Sequence, residues 1–123
     1  MAYQDNTRDT QFNESIEKGF KYYINNFFLE DGTPKYYHNK TYPIDIHCPG
    51  QLFVNLSENN KFQENKELAE SVFNWVVDNM QDQKGYFYYQ LKEGVSSKIP
   101  YMRWSNAFMF NALSYLLLEK NGI

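Results

Sequence analysis

The chain has 123 residues, a formal net charge of -3 and an aromatic content of 19%, with 11 Tyr, 10 Phe and 2 Trp. That length makes one domain with a real core, while the mild acidity and the lack of any basic cluster exclude a nucleic-acid footprint. One cysteine, Cys48, excludes an internal disulfide framework.

The start is polar and lacks the apolar stretch of a secretion signal, and apolar runs such as 116–118 are far too short to span a bilayer. The expectation is a cytoplasmic protein with no membrane partner. Residues 1–8 read as a disordered N-terminus and 9–123 as a single helical-repeat domain. A first helix is expected over 9–28, capped by Asp9 or Thr10. Phe12, Ile16, Phe20, Tyr23 and Phe27 fall at helical spacing, with Glu14, Glu17, Lys18 and Lys21 on other faces. The segment from Glu30 to Pro34 is a turn by composition, and 35–42 is short, aromatic and extended.

A second helix is expected from about Asp45, with Pro49 in its first turn and little polar surface over 51–56. A third runs over 63–80, its apolar stripe being Leu68, Ala69, Val72, Phe73, Val76 and Met80. Residues 86–91 alternate loosely and predict a strand, with a return strand reaching Ile99 after the turn at Glu93 and Gly94. The fourth helix occupies 99–118 and continues toward Asn121. It is apolar on nearly every side, which requires neighbours around it.

The two halves match. Phe20, Tyr22, Asn26 and Gly32 align with Phe73, Trp75, Asn79 and Gly85 at one offset of 53 positions (85 − 32). After a four-residue insertion, Pro43, Phe53, Leu56 and Ser57 align with Pro100, Phe110, Leu113 and Ser114 at 57 (100 − 43). Each unit, about 9–60 and 61–123, is an amphipathic helix, an aromatic turn, a proline turn and an apolar helix. Self-similarity at this period predicts a repeat architecture. The charged helix belongs outside and the apolar one inside. The fold class expected is therefore all-α with a small β-hairpin, built from two α/α-hairpin repeats as part of an α/α toroid.

This alternation, and the segment 99–114 with Pro100, Tyr101, Arg103, Trp104, Asn106 and Phe108, resembles the bacterial six-hairpin toroid proteins of carbohydrate metabolism. These include glycoside hydrolases, polysaccharide lyases and uronyl epimerases. The resemblance implies that this chain supplies terminal hairpins of such a toroid and contributes an aromatic cleft for an acidic saccharide, without catalysis of its own. Two repeats fall short of the roughly three that an array needs to bury its inner faces. The chain is then expected to be part of a longer parent or to form a homo-oligomer. The contrasting reading is a free-standing helical module that dimerises through its apolar inner helices. Relatives of this kind are also expected to carry the label delta-aminolevulinic acid dehydratase. The residues do not support it, because that enzyme is a long (β/α)₈ barrel with a Schiff-base lysine and a cysteine-rich zinc site.

If the units align in space, both proline turns open at one end of the array. Asp45, His47, Tyr101, Arg103 and Trp104 then become neighbours, rimmed by Tyr36, Tyr37, Tyr88 and Tyr89. The resemblance implies His47 or Tyr101 as acid or base, with Asp45 beside them, since an imidazole suits proton transfer near neutral pH. Arg103 would hold a carboxylate and Trp104 would stack on a sugar ring. The bland alternatives are a capping His47, an Arg103 paired with Asp45, and a Trp104 in the core. Glycoside hydrolysis needs two carboxylates about 5–10 Å apart, and only Asp45 has a ring-lined setting. Asp45, His47, Cys48 and His38 lack the paired spacings of a zinc site. No metal and no other cofactor is expected.

Overall fold

The computed structural model describes residues 6–122. Residues 1–5 of the expected disordered N-terminus lie outside the described residues; Asn6 and Thr7 are helical and Arg8 has a left-handed backbone. The elements are α1 (Asn13–Asn26), β1 (Ile44–Asp45), α2 (His47–Glu58), a 3₁₀ turn (Gln63–Asn65), α3 (Lys66–Met80), β2 (Gln90–Leu91), β3 (Ser96–Ser97), a π-helical turn (Met102–Asn106) and α4 (Ala107–Asn121). The chain is mostly helical with one small antiparallel sheet.

Two boundaries differ from the sequence reading. Asp9 does not cap α1: its carboxylate takes the backbone N–H of Gln11 at 2.9 Å, and the helix begins only at Asn13. Short polar side chains compete in this way for backbone groups near helix starts. The fourth helix does not begin at Ile99. Tyr101 is extended, the chain makes the π-helical turn, and regular helix starts at Ala107.

The strand pair expected over 86–99 shrinks to β2 and β3, registered Gln90 opposite Ser97. A third strand joins it: β1 pairs with β2, placing Ile44 opposite Leu91. Two-residue strands carry no pattern that a sequence window detects. Their effect is to stitch the proline turn of the first unit to the hairpin of the second.

The helices form two antiparallel hairpins whose second members run parallel. At one end His47 of α2 stacks on Phe108 of α4, and at the other Ser57 donates to Glu119 at 2.7 Å. Helix α3 runs against α4: Gln63 and Lys66 stand beside Glu119 and Asn121, while Phe87, just past α3, donates its N–H to Asn106 at 2.8 Å. Helix α1 runs against α2, with Glu17 reaching Lys61 at 3.5 Å and Phe27 near His47 and Cys48. The core comes from α2 (Leu52, Phe53, Val54, Leu56), α3 (Ala69, Val72, Val76, Met80) and α4 (Met109, Ala112, Leu116), closed by Ile44, Ile46, Phe62 and Phe87. Helix α1 has no fully buried residue; Phe20, Tyr23 and Ile24 lie half-buried against the core.

The repeat reaches the hydrogen bonds. Leu29 donates to Thr33 and Asp82 to Tyr86; Gly32 donates to Leu29 and Gly85 to Asp82; Lys35 donates to Phe27 and Tyr88 to Met80. Each pair of bonds is 53 positions apart, like Gly32 and Gly85. The amide of Asn26 caps the carbonyl of Tyr22 at 2.8 Å, as Asn79 caps Trp75. Isolated bridges Phe28 to Pro34 and Gln81 to Phe87 keep the same offset. Gly32 and Gly85 have φ of 88° and 91°, a region that favours glycine.

Candidate functional site

Because α2 and α4 are parallel, their N-terminal ends stand side by side, and the sheet lies at that end. Asp45 closes β1 and His47 opens α2. The Asp45 carboxylate is buried, takes the backbone N–H of His47 at 2.9 Å, and lies 2.6 Å from His47 Nδ1. Gln90 Nε2 donates to its other oxygen at 3.4 Å. An ionised carboxylate only accepts, so Nδ1 carries the proton of this contact and Nε2 points away from the carboxylate. The imidazole rests on Phe108, with ring centroids 4.8 Å apart, and its side chain stays 39% exposed.

From this pair a series of rings leads outward. The charge of Asp45, with some burial, pushes the Tyr89 phenol above its ordinary value, so it stays protonated. Tyr89 meets Tyr101 edge-on at 5.2 Å, and Tyr101 meets Trp104 at 5.4 Å. Tyr101, Met102, Arg103 and Trp104 line an open cleft of about 300 Å³. Arg103 is exposed and forms no ion pair among the described residues; in particular it does not pair with Asp45. Trp104 is 60% exposed and is not a core residue.

The structure therefore brings Asp45, His47, Tyr89, Tyr101, Arg103 and Trp104 to one end of the inner helices. Tyr36 shares with His47 a second cleft of about 260 Å³ lined also by Tyr23, Phe27, Phe28, Cys48 and Gln51, and its phenol is near enough to Tyr89 to add to the upward shift there. Tyr37 and Tyr88 do not join the ring series. Tyr37 packs on Tyr36 at 4.9 Å beneath the Lys40 ammonium. Tyr88 donates to Asp82 at 3.0 Å and lies beneath Lys98, because neighbouring residues on an extended segment point to opposite sides.

Tyr23, Phe27 and Gln51 escaped the sequence reading, since helical spacing assigned the two rings to the core. One signal was available. Tyr23 aligns with Val76 at the 53-residue offset, so a ring with a polar handle stands where the other unit has a fully buried aliphatic. Burial also pushes the Cys48 thiol up to about 11, and the Tyr23 phenol upward too. A thiol held protonated is a poor nucleophile, so Cys48 acts as a wall of the cleft.

No family model matches this chain, and neither does any curated protein or solved structure. The geometry alone carries the reading. Among the described residues no three His, Cys, Asp or Glu side chains converge to hold a metal ion, and no helix is long and apolar enough to cross a membrane. The arrangement offers an oriented imidazole, a stepped aromatic surface and an exposed guanidinium that has no ion pair among the described residues.

Proposed function

We propose that this chain forms part of the wall of an α/α toroid and binds an acidic saccharide at the mouth of its inner helices. The observation that carries the reading is the ring series from the Asp45–His47 pair through Tyr89 and Tyr101 to Trp104, ending at the unpaired Arg103. Sugar rings stack on exposed aromatic faces, and a guanidinium holds a carboxylate through two parallel hydrogen bonds. His47, oriented by Asp45, and Tyr101 are the proton-carrying groups of this mouth. The alternation of charged outer and apolar inner helices, with parallel inner members, supports the toroid part. The chain by itself binds and does not turn over.

The test is titration of the full chain with an oligouronide, read by tryptophan emission and melting temperature, with a neutral oligosaccharide of equal length as control. The oligouronide raises the melting temperature and changes the emission of Trp104. Trp104→Phe removes the emission change, and Arg103→Ala removes the thermal shift while leaving the unliganded melting temperature unchanged. Absence of any response to acidic oligosaccharides would sink the reading, and an equal response to the neutral control would remove the carboxylate from it.

A further inference from the structure

Three features covered in the first repeat stand open in the second. Phe53 is 1% exposed, and Phe110, 57 positions later, is 76% exposed. Gly32 lies against α3, where a Cβ would sit 2.5 Å from the Ser71 carbonyl; at Gly85, in the same turn of the second repeat, nothing lies within 4 Å. The stripe His47, Gly50, Val54 and Ser57, by which α2 faces α4, recurs at that offset as Trp104, Ala107, Asn111 and Ser114. Three of these, Trp104, Ala107 and Asn111, are exposed. Met102, Leu117 and Leu118 extend the open face. Scattered exposed apolar residues need no partner, but a contiguous face of this kind marks an interface. In the first repeat the cover is the second repeat itself, so the open face has the shape of one more hairpin.

We propose that this hairpin is α1 and α2 of a second copy of the chain, docked head to tail on α4 and the Gly85 turn. The interface between the two repeats supplies the pattern, and the far side of the first repeat supplies the matching surface. Phe108 packs over Gly50; its counterpart 57 positions earlier is Gln51, which is exposed and would lie over Ala107. The counterpart of Ser71 on α1 is Lys18, exposed and paired along its own helix with Glu14, which comes beside the turn of the half-buried Asp82 and the exposed Gly85. Trp104 takes the place of His47, which packs on a neighbouring ring yet stays open at the mouth; docking therefore covers one face of Trp104 and leaves the cleft accessible. Such a contact uses different surfaces on the two copies and builds rings or filaments rather than a two-fold dimer.

Light scattering over a hundredfold concentration series checks this on the full chain. The mass rises to a multiple of the single chain, and Phe110→Glu, at a residue open in the folded chain, holds it at one chain with unchanged helical content. In a Cys48→Ser background, where serine already occupies the equivalent position 105, Ala107→Cys and Gln51→Cys variants are oxidised alone and mixed. Cross-linking between the two variants in the mixture, with none for Ala107→Cys alone, establishes the head-to-tail contact. A single-chain mass throughout, or cross-linking of Ala107→Cys to itself without cross-linking to Gln51→Cys, would overturn it.

Discussion

Phe53 and Phe110 occupy the same place in two copies of one unit, yet one is in the core and the other in water. The units share turns, caps and backbone hydrogen bonds at a fixed spacing, so local sequence does not separate them. Position in the array does. Helix α2 has α1, α3 and α4 around it, whereas among the described residues α4 packs on α2 and α3 alone of the helices. Burial in a repeat protein is thus a property of neighbours rather than of the repeat, and a side chain of the same type stabilises the fold in one unit and offers a surface in the other.

The largest test of this contrast is Phe53→Ala against Phe110→Ala. Removing the buried ring costs about 3–5 kcal/mol in urea unfolding, while the exposed one, at dilutions where the chain is single, changes stability by no more than about 0.5 kcal/mol. Equal losses at such dilution would show that α4 is covered within the single chain. The paired turns give the next contrast. Gly85→Ala pays about 1–2 kcal/mol for a left-handed backbone. Gly32→Ala pays that and about 1–3 kcal/mol more for forcing a Cβ against the Ser71 carbonyl. A third pair is Asp45 and its counterpart Met102. Asp45→Ala strips the N–H of His47 and the imidazole of their acceptor and costs about 1–3 kcal/mol, whereas Met102→Ala, at a highly exposed site, stays within about 0.5 kcal/mol.

The smallest expected effect is on pH dependence and treats the two turns alike. Bonds from Thr33 hold the Asp31 carboxyl below its usual value, and the backbone N–H of Lys84 does the same for Asp82, helped by Tyr88. A carboxyl lowered on folding stabilises while ionised. Its contribution is full above the unfolded value, near about 4, and disappears as pH falls through the folded one. Asp31 is exposed and Asp82 lies half-buried at the surface, so the loss is slight. Asp31→Asn or Asp82→Asn flattens the acid limb of a stability profile and lowers the plateau above it slightly, without changing the slope near neutrality. A steeper acid limb in either variant would reverse the assignment.

Much of the architecture was legible beforehand, for identifiable reasons. Four helices follow from apolar spacing and from Gly and Pro punctuation, and the two-unit organisation follows from Gly32 and Gly85 at one offset. The third strand was not legible, because two residues such as Ile44 and Asp45 carry no period. The candidate site was legible in part. Asp45, His47, Tyr101, Arg103 and Trp104 lie at one end of the inner helices because the two proline turns open there. Tyr88 could not be separated from Tyr89 without knowing which side of the extended segment faces the mouth, and Tyr23 looked like any other ring on an apolar stripe.

The sequence by itself determined the elements, their repetition and the chemistry gathered at the helix entrances, because spacing, turn residues and side-chain type are local quantities. Only the tertiary structure decided which of two equivalent residues is core and which is surface, since burial depends on what stands on the far side. It likewise decided that Arg103 has no ion pair among the described residues while the Asp45 carboxylate accepts from His47: a hydrogen bond between side chains two residues apart forms only when the backbone between them makes the entry turn of α2 that brings them to 2.6 Å.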